Sequence, residues 1–244
     1  MNAVLKQWLL NLAIDFPVSF HLLPKLLNGD DREPSPVNVR PLHGFTLAQG
    51  VDRLVQLADM GLIAFKQEIS EGKTRPIPVS ELSCLEVPLE SKDRLKGITF
   101  ELTQTGGNTW ERAANPSWFD MEDGFAIPRY ANDDLGRGDL VGWDWTLFSQ
   151  NREHLMASLG WWSTLYDEQL DFRTVELRRA DHYKVRYWKR LPNVYIATFQ
   201  TRCGSTPAWP HGRTPQWFTE WRIARSSWHR HPWEMEGWPA LPDQ

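Results

Sequence analysis

Apolar residues recur at helical spacing from the start of the chain, with Val4, Trp8, Leu9 and Leu12 on one face. This predicts a helix over residues 3–14 and, after Pro17, a second over 18–28. Pro34, Pro36 and Pro41 then predict an extended loop, because proline removes a helical donor and restrains the residue before it. A third helix should follow Thr46, whose hydroxyl can accept from an orphan amide of the first turn. Leu47, Val51, Leu54, Val55, Ala58 and Leu62 line one side of it, and Gln49, Asp52, Arg53, Gln56 and Asp59 lie largely on the other. Gly61 suits the helix end, where a left-handed residue is commonly needed.

Residues 63–69 and 98–102 are apolar enough to pair as strands. The long connection between them holds Pro76, Pro78 and Pro88 and is expected to be mostly irregular. Thr103 should cap a short helix carrying Trp110, with Pro116 stopping it. Further on, a helix is expected over residues 149–159. Val175 and Leu177 then alternate with charged residues, and Tyr183, Val185 and Tyr187 alternate with Lys184, Arg186 and Trp188, a period-two pattern that predicts half-buried strands. Pro192-Asn193 predicts a turn before a strand over 194–201. A last helix over 216–228 would align Trp217, Trp221, Ala224 and Trp228, and Trp233 and Trp238 would pack the proline-rich tail.

The 244 residues allow one large domain or two modest ones, and a hydrophobic content of 41% is that of a soluble globular chain. No apolar run reaches membrane-spanning length, and the N-terminus lacks the basic start and cleavage site of a signal peptide, so a cytoplasmic protein without a membrane partner is expected. Cys84 and Cys203 are too few for a disulfide framework or a Cys-rich metal site.

Charge is unevenly spread around a net of −4. Residues 173–202 hold eight basic side chains against Glu176 and Asp181, while residues 117–144 hold seven acidic ones against Arg129 and Arg137. The two stretches could pair with each other, or each could meet a partner. Aromatics beside arginines over 173–202 can bind single-stranded nucleic acid, but a solvated sheet face is the simpler reading. His229-Arg230-His231 offers two imidazoles without the further ligands a metal needs, and residues 136–142 depart from a nucleotide-binding fingerprint and read as a turn. No hydrolase, metalloprotease or P-loop motif occurs, so a non-enzymatic chain that needs neither metal nor cofactor is expected.

The order of elements from Thr46 to Glu111 resembles a winged helix-turn-helix domain. That resemblance implies DNA binding, with Gln49, Arg53 and Gln56 reading base edges in the major groove. The same stretch holds seven basic and ten acidic residues, a net of −3, which opposes tight binding to phosphates. Two motifs extend the comparison. Leu102-Thr103 with Gly106-Gly107 and Trp110-Glu111, and Trp217, Trp221 and Trp228 with Pro232-Trp233-Glu234 and Trp238-Pro239, resemble a group of bacterial proteins with an N-terminal winged-helix-like domain and a Trp-rich C-terminal half. Some proteins of that kind look like immunity proteins, which neutralise a toxin by binding it.

The expectation is therefore an α+β chain with a winged-helix-like domain over residues 1–120 and a Trp-rich α+β domain over 121–244 carrying a small antiparallel sheet. The expected partner is a protein, a toxin by the resemblance, met through Asp120, Glu122, Asp123, Asp133 and Asp134, since complementary charge would speed association with a basic toxin. A winged-helix transcriptional regulator that binds DNA through Gln49, Arg53 and Gln56 is the alternative.

Overall fold

A computed structural model describes residues 3–28, 45–70, 73–81, 97–131, 139–162, 168–203 and 228–234. The fold is α+β, with two four-stranded antiparallel sheets divided between two units. Unit 1 comprises Met1–Asn115, Arg186–Lys189 and Arg230–Gln244, and unit 2 comprises Pro116–Val185 and Arg190–His229. The division expected near residue 120 thus begins at Asn115, and unit 1 takes two later segments as well.

Unit 1 starts with helix α1 (Ala3–Leu12), which is buried on most sides, Gln7 and Asn11 included. A helix apolar nearly all round belongs inside a core. The expected second helix over 18–28 is instead a short strand β1 (Val18–Ser19), a 3-10 turn (Phe20–Leu22) and α2 (Leu23–Asn28). Val18 and Ser19 pair with Phe100 and Thr99, and this ladder outweighs local helical preference. In α3 (Leu47–Asp59) a capping box closes the first turn: Gln49 N donates to Thr46 Oγ1 at 3.2 Å, and Thr46 N donates to Gln49 Oε1 at 2.8 Å. Gly61 follows the helix in the left-handed region, φ +68°, with its N–H on Ala58 O at 2.8 Å.

The sheet of unit 1 runs β1-β4-β2-β3, built from β2 (Ile63–Ser70), β3 (Lys73–Ile77) and β4 (Ile98–Leu102) beside β1. Phe65 lies opposite Phe100, and Ile63 opposite Leu102. The rings of Phe20, Phe65 and Phe100 meet at about 6 Å, each tilted on the next. β3 corrects the expectation of an irregular connection here; its Pro76 is tolerated because β3 is an edge strand. Residues 82–96 lie outside the described residues. The fourth helix, α4 (Gln104–Ala114), is capped as expected: Thr103 Oγ1 accepts from Gly106 N at 3.0 Å and donates to Gly61 O at 2.6 Å. It ends on Asn115 in the left-handed conformation, φ 45°, directly before Pro116.

The core of unit 1 is completed by Arg186–Lys189. The Trp188 indole donates to Ile14 O at 3.0 Å and meets Trp110 edge-on, with ring centroids 6.0 Å apart. Trp110 in turn donates to Asn11 Oδ1 at 3.2 Å. The Tyr187 hydroxyl donates to Ala13 O and accepts from Leu102 N, both at 2.5 Å. Arg186 pairs with Asp15 at 2.7 Å, and Lys189 with Glu111. The solvent-facing placement predicted for Arg186 and Trp188 is therefore corrected: both are buried, because the strand alternation stops at this turn and the side chains answer to a different core.

Among the described residues unit 2 is a sheet ordered β5-β6-β8-β7, with β5 (Glu122–Ala131), β6 (Asp139–Ser149), β7 (Glu168–Arg186) and β8 (Lys189–Cys203), and one helix α5 (Arg152–Trp162). The expected turn at Pro192-Asn193 is overturned. Both residues lie within β8, where Asn193 adopts φ 52°, and the turn falls at Tyr187-Trp188. Asparagine tolerates this conformation better than other side chains, so a turn-forming pair can sit inside a strand. Asp139 to Gly142 likewise belong to β6 and not to a turn. The two faces of this sheet differ. On one, Leu147, Ala197 and Phe199 pack with Leu155 and Leu159 of α5. On the other, Phe148, Val185, Val194 and Ile196 pack with Met121, Trp118 and Trp228.

A Cβ at Gly107 would stand 2.1 Å from Trp188 Cε3, so only glycine lets the indole approach α4 this closely. Gly107→Ala is expected to destabilise unit 1 by about 1–3 kcal/mol in urea unfolding. The Tyr187 phenol is held well above the ordinary tyrosine range, chiefly by burial, with the Leu102 N–H working the other way. The folded state thus favours the neutral phenol. This contribution to stability is full below the unfolded pKa of about 10 and is lost as pH rises beyond it. Tyr187→Phe should lower stability by about 1–3 kcal/mol at neutral pH and flatten the alkaline loss, read from urea midpoints across that range.

Candidate functional site

Alternation decides which side chains of unit 2 reach the open part of its sheet. Phe125, Ile127 and Arg129 of β5 lie opposite Thr146, Asp144 and Gly142 of β6, and Thr146 and Asp144 lie opposite Thr198 and Gln200 of β8. Directly opposed residues share a face. This face is the one carrying Phe148 and Ile196, since successive residues on one face differ by two. Its Phe148 end is covered by Trp118 and Trp228. At the other end Phe125 is 49% and Ile127 57% exposed, values far too high for core residues of a sheet.

Polar groups frame these two side chains. Arg129 Nε stands 3.3 Å from Asp144 Oδ1, and Gln200 Nε2 donates to the same oxygen at 3.0 Å. A second Arg129 nitrogen donates to Thr201 O at 2.6 Å. Three strands are thereby linked through one carboxylate. Beside it, Asp144, Thr146, Thr174, Glu176, Thr198 and Gln200 line a shallow depression of about 420 Å³. The surface thus sets a pair of exposed apolar side chains beside the fixed Asp144 carboxylate, with hydroxyls, the Gln200 amide and Glu176 further across the sheet.

The acidic residues picked out from the sequence do not gather into one open cluster. Asp120 is exposed in a turn and accepts from Ser117 Oγ. Glu122 accepts from Ser158 Oγ of α5 and lies opposite Ser149, on the helix-covered face. Asp123, half-buried, lies opposite Phe148 on the other face and accepts from Gly124 N at 2.7 Å. Asp133 and Asp134 lie outside the described residues. Of these candidates Asp123 shares the face of Phe125 and Ile127, two residues from Phe125, whereas Asp144, directly opposite Ile127, was counted in the acidic stretch but not picked out as a partner residue. Phe125 and Ile127 were missed as well, though their spacing, and that of Trp143, Trp145 and Leu147, carries the period of a strand.

On α3 the DNA-reading candidates lie along one side of the helix, and each is already hydrogen-bonded. Gln49 serves the capping box, and Arg53 donates to Gln56 Oε1 at 2.5 Å. Asp52 and Asp59 are exposed on the same helix.

The basic residues of β7 and β8 divide. Arg173 and Arg202 both pair with Asp171 at 2.9 Å, and hydrogen bonding from Arg173 above all holds that carboxyl well below the usual carboxylate range, although burial opposes it. Arg186 and Lys189 take Asp15 and Glu111. No group of three or more His, Cys, Asp or Glu side chains gathers as metal ligands among the described residues. Cys203 is a free, exposed thiol. Cys84, Trp217, Trp221, Ala224 and Trp238 lie outside the described residues. No helix among the described residues is long and apolar enough to cross a membrane. Comparison with protein-family models, with curated proteins and with solved structures gave no match to this chain.

The uncovered end of the sheet should respond to substitution as a surface. Asp144→Asn removes a half-exposed ion pair and is expected to change stability by less than about 1 kcal/mol. Leu147→Ala, on the helix-covered face three residues along, should cost about 2–5 kcal/mol, and urea melts of the two variants make the comparison.

Proposed function

We propose that unit 1 is a winged-helix-like scaffold and that the chain acts by binding another protein, with no chemistry of its own. By the sequence resemblance the partner is a toxin in the cytoplasm, neutralised when binding covers its active site or substrate surface. The observation that carries the protein-binding reading is the exposure of Phe125 and Ile127 side by side on one face of a sheet, with Asp123 on the same face and Asp144 directly opposite Ile127. Large apolar side chains that stay exposed side by side mark interaction surfaces more often than scattered ones, and carboxylates beside them favour a partner of complementary charge.

The winged-helix reading of unit 1 is supported by element order. Three helices, with β1 inserted after the first, precede a pair of long antiparallel strands, and β1 joins the sheet at β4. β3 is an addition at the far edge. The same order favours DNA binding as a second reading, with Gln49, Arg53 and Gln56 on α3. Against it stand the net charge of this stretch and the engagement of all three side chains in bonds within the helix.

The two readings separate in titrations. For the first, the probe is the purified product of a toxin gene adjacent to the gene for this chain, measured by calorimetry. Phe125→Asp with Ile127→Asp should weaken binding at least about a hundredfold, roughly 2.7 kcal/mol, whereas Arg53→Ala should leave it unchanged. Undiminished affinity in the double variant would remove this surface from the interface. For the second, gel shifts with the duplex upstream of the same gene at low salt should show no complex; a sequence-preferring shift abolished by Arg53→Ala would replace the first reading with the second.

A further inference from the structure

A second surface of unit 2 has the opposite chemistry. Arg152, Leu155 and Met156 of α5, Leu177, Arg178 and Arg179 of β7 and Tyr195 of β8 line a groove of about 210 Å³. Three guanidiniums and three aliphatic side chains meet there, and no carboxylate lines it among the described residues. Leu155 is fully buried and forms the floor, while Met156 and Leu177 remain largely exposed at the rim. Among the described residues neither Arg152 nor Arg178 has an ion-pair or side-chain hydrogen-bond partner. Arg179 donates to the neutral Asn193 Oδ1 at 2.6 Å and lies over the Tyr195 ring, 6.0 Å from its centroid, so its charge is not cancelled either. Elsewhere on the same strands Arg173 and Arg202 share Asp171. Three uncompensated arginines around an apolar floor are notable in a chain whose net charge is −4.

We infer that this groove is a docking site for an acidic segment of a partner protein, which seats one apolar side chain between Met156 and Leu177 and sets its flanking carboxylates on Arg152, Arg178 and Arg179. The volume is below the ~300–1,000 Å³ of pockets that enclose a whole small molecule, and it suits a single side chain. Guanidinium forks match carboxylates in geometry as well as charge. Methionine adapts its shape to what it meets. A nucleic acid strand would need aromatic platforms for its bases. Among the described residues Tyr195 is the one aromatic side chain lining the groove, and Arg179 already lies over it. The site involves neither Phe125 nor Ile127, so it stands or falls apart from the surface proposed above.

Fluorescence anisotropy on the full chain at low salt tests it. The probe is a labelled peptide alternating glutamate and aspartate with leucine and phenylalanine. It should bind, and exchanging its acids for lysine or its apolar residues for serine should each weaken binding at least about tenfold, roughly 1.4 kcal/mol. Arg152→Glu with Arg178→Glu should do the same, as should Leu177→Ser alone, while Phe125→Asp with Ile127→Asp should not. If circular dichroism shows the charge-reversed chain to be misfolded, Arg152→Gln with Arg178→Gln serves in its place, with the same weakening expected. No binding of the peptide at low salt, or binding untouched by loss of the arginines, would overturn the inference. So would tighter binding of a labelled single-stranded oligonucleotide that is lost with the same arginines, which would make the groove a nucleic-acid site.

Discussion

Unit 1 depends on the seating of one indole. Trp188 donates to the carbonyl of Ile14, meets Trp110 edge-on and lies against the bare backbone of Gly107. None of these contacts is local: the residues that receive it are separated from it by 174 positions at Ile14 and by 81 at Gly107 in the numbering of the chain. Its neighbours repeat the arrangement. Tyr187 satisfies a carbonyl after α1 and an amide of β4 with one hydroxyl, and Arg186 and Lys189 each take a carboxylate of unit 1. An unpaired amide or carbonyl left behind by this segment would carry a desolvation cost of about 1–3 kcal/mol. The glycine at position 107 answers to this steric demand, and the tryptophan at 110 to the matching one from the other side.

The two surfaces proposed to meet partners lie in unit 2 and follow from how its sheet is clothed. α5 covers one face through Leu155 and Leu159, and Trp118 and Trp228 cover one end of the other. The described residues leave exposed the apolar pair Phe125 and Ile127 beside a polar depression, and a separate groove edged by arginines. These two chemistries sit on the same strands because strand residues alternate in direction and charge was distributed between faces. The opposing charge blocks read along the chain are thus not simple complements of each other. Arg173 and Arg202 turn to Asp171, Arg129 turns to Asp144, and Glu122 turns to Ser158.

The chemistry of helix ends was readable from residue identity alone, since Thr46, Gly61 and Thr103 act on helix ends within a few positions of themselves. Long-range demands were not. Val18 and Ser19 leave a helical context to pair with β4, and Pro192-Asn193, a turn signal in isolation, is carried inside a long strand by the ladder around it. Trp188 looked like an outward residue by alternation because alternation knows nothing of a turn that enters another core. The apolar pair at Phe125 and Ile127 escaped notice for a related reason: Gly124, Pro128 and the acidic residues around them mask the strand period that the cross-strand partners make plain.

The dependence of unit 1 on Trp188 is tested most directly by a double-mutant cycle. Stability in urea would be measured for the native chain, Trp110→Leu, Trp188→Leu and the pair together. The account predicts a coupling of about 0.5–1.5 kcal/mol or more, because the two indoles interact directly and share one packing site. Additivity to within about 0.3–0.5 kcal/mol would contradict it, showing that Trp188 and Trp110 contribute independently and that the segment Arg186–Lys189 is not what completes the core of unit 1.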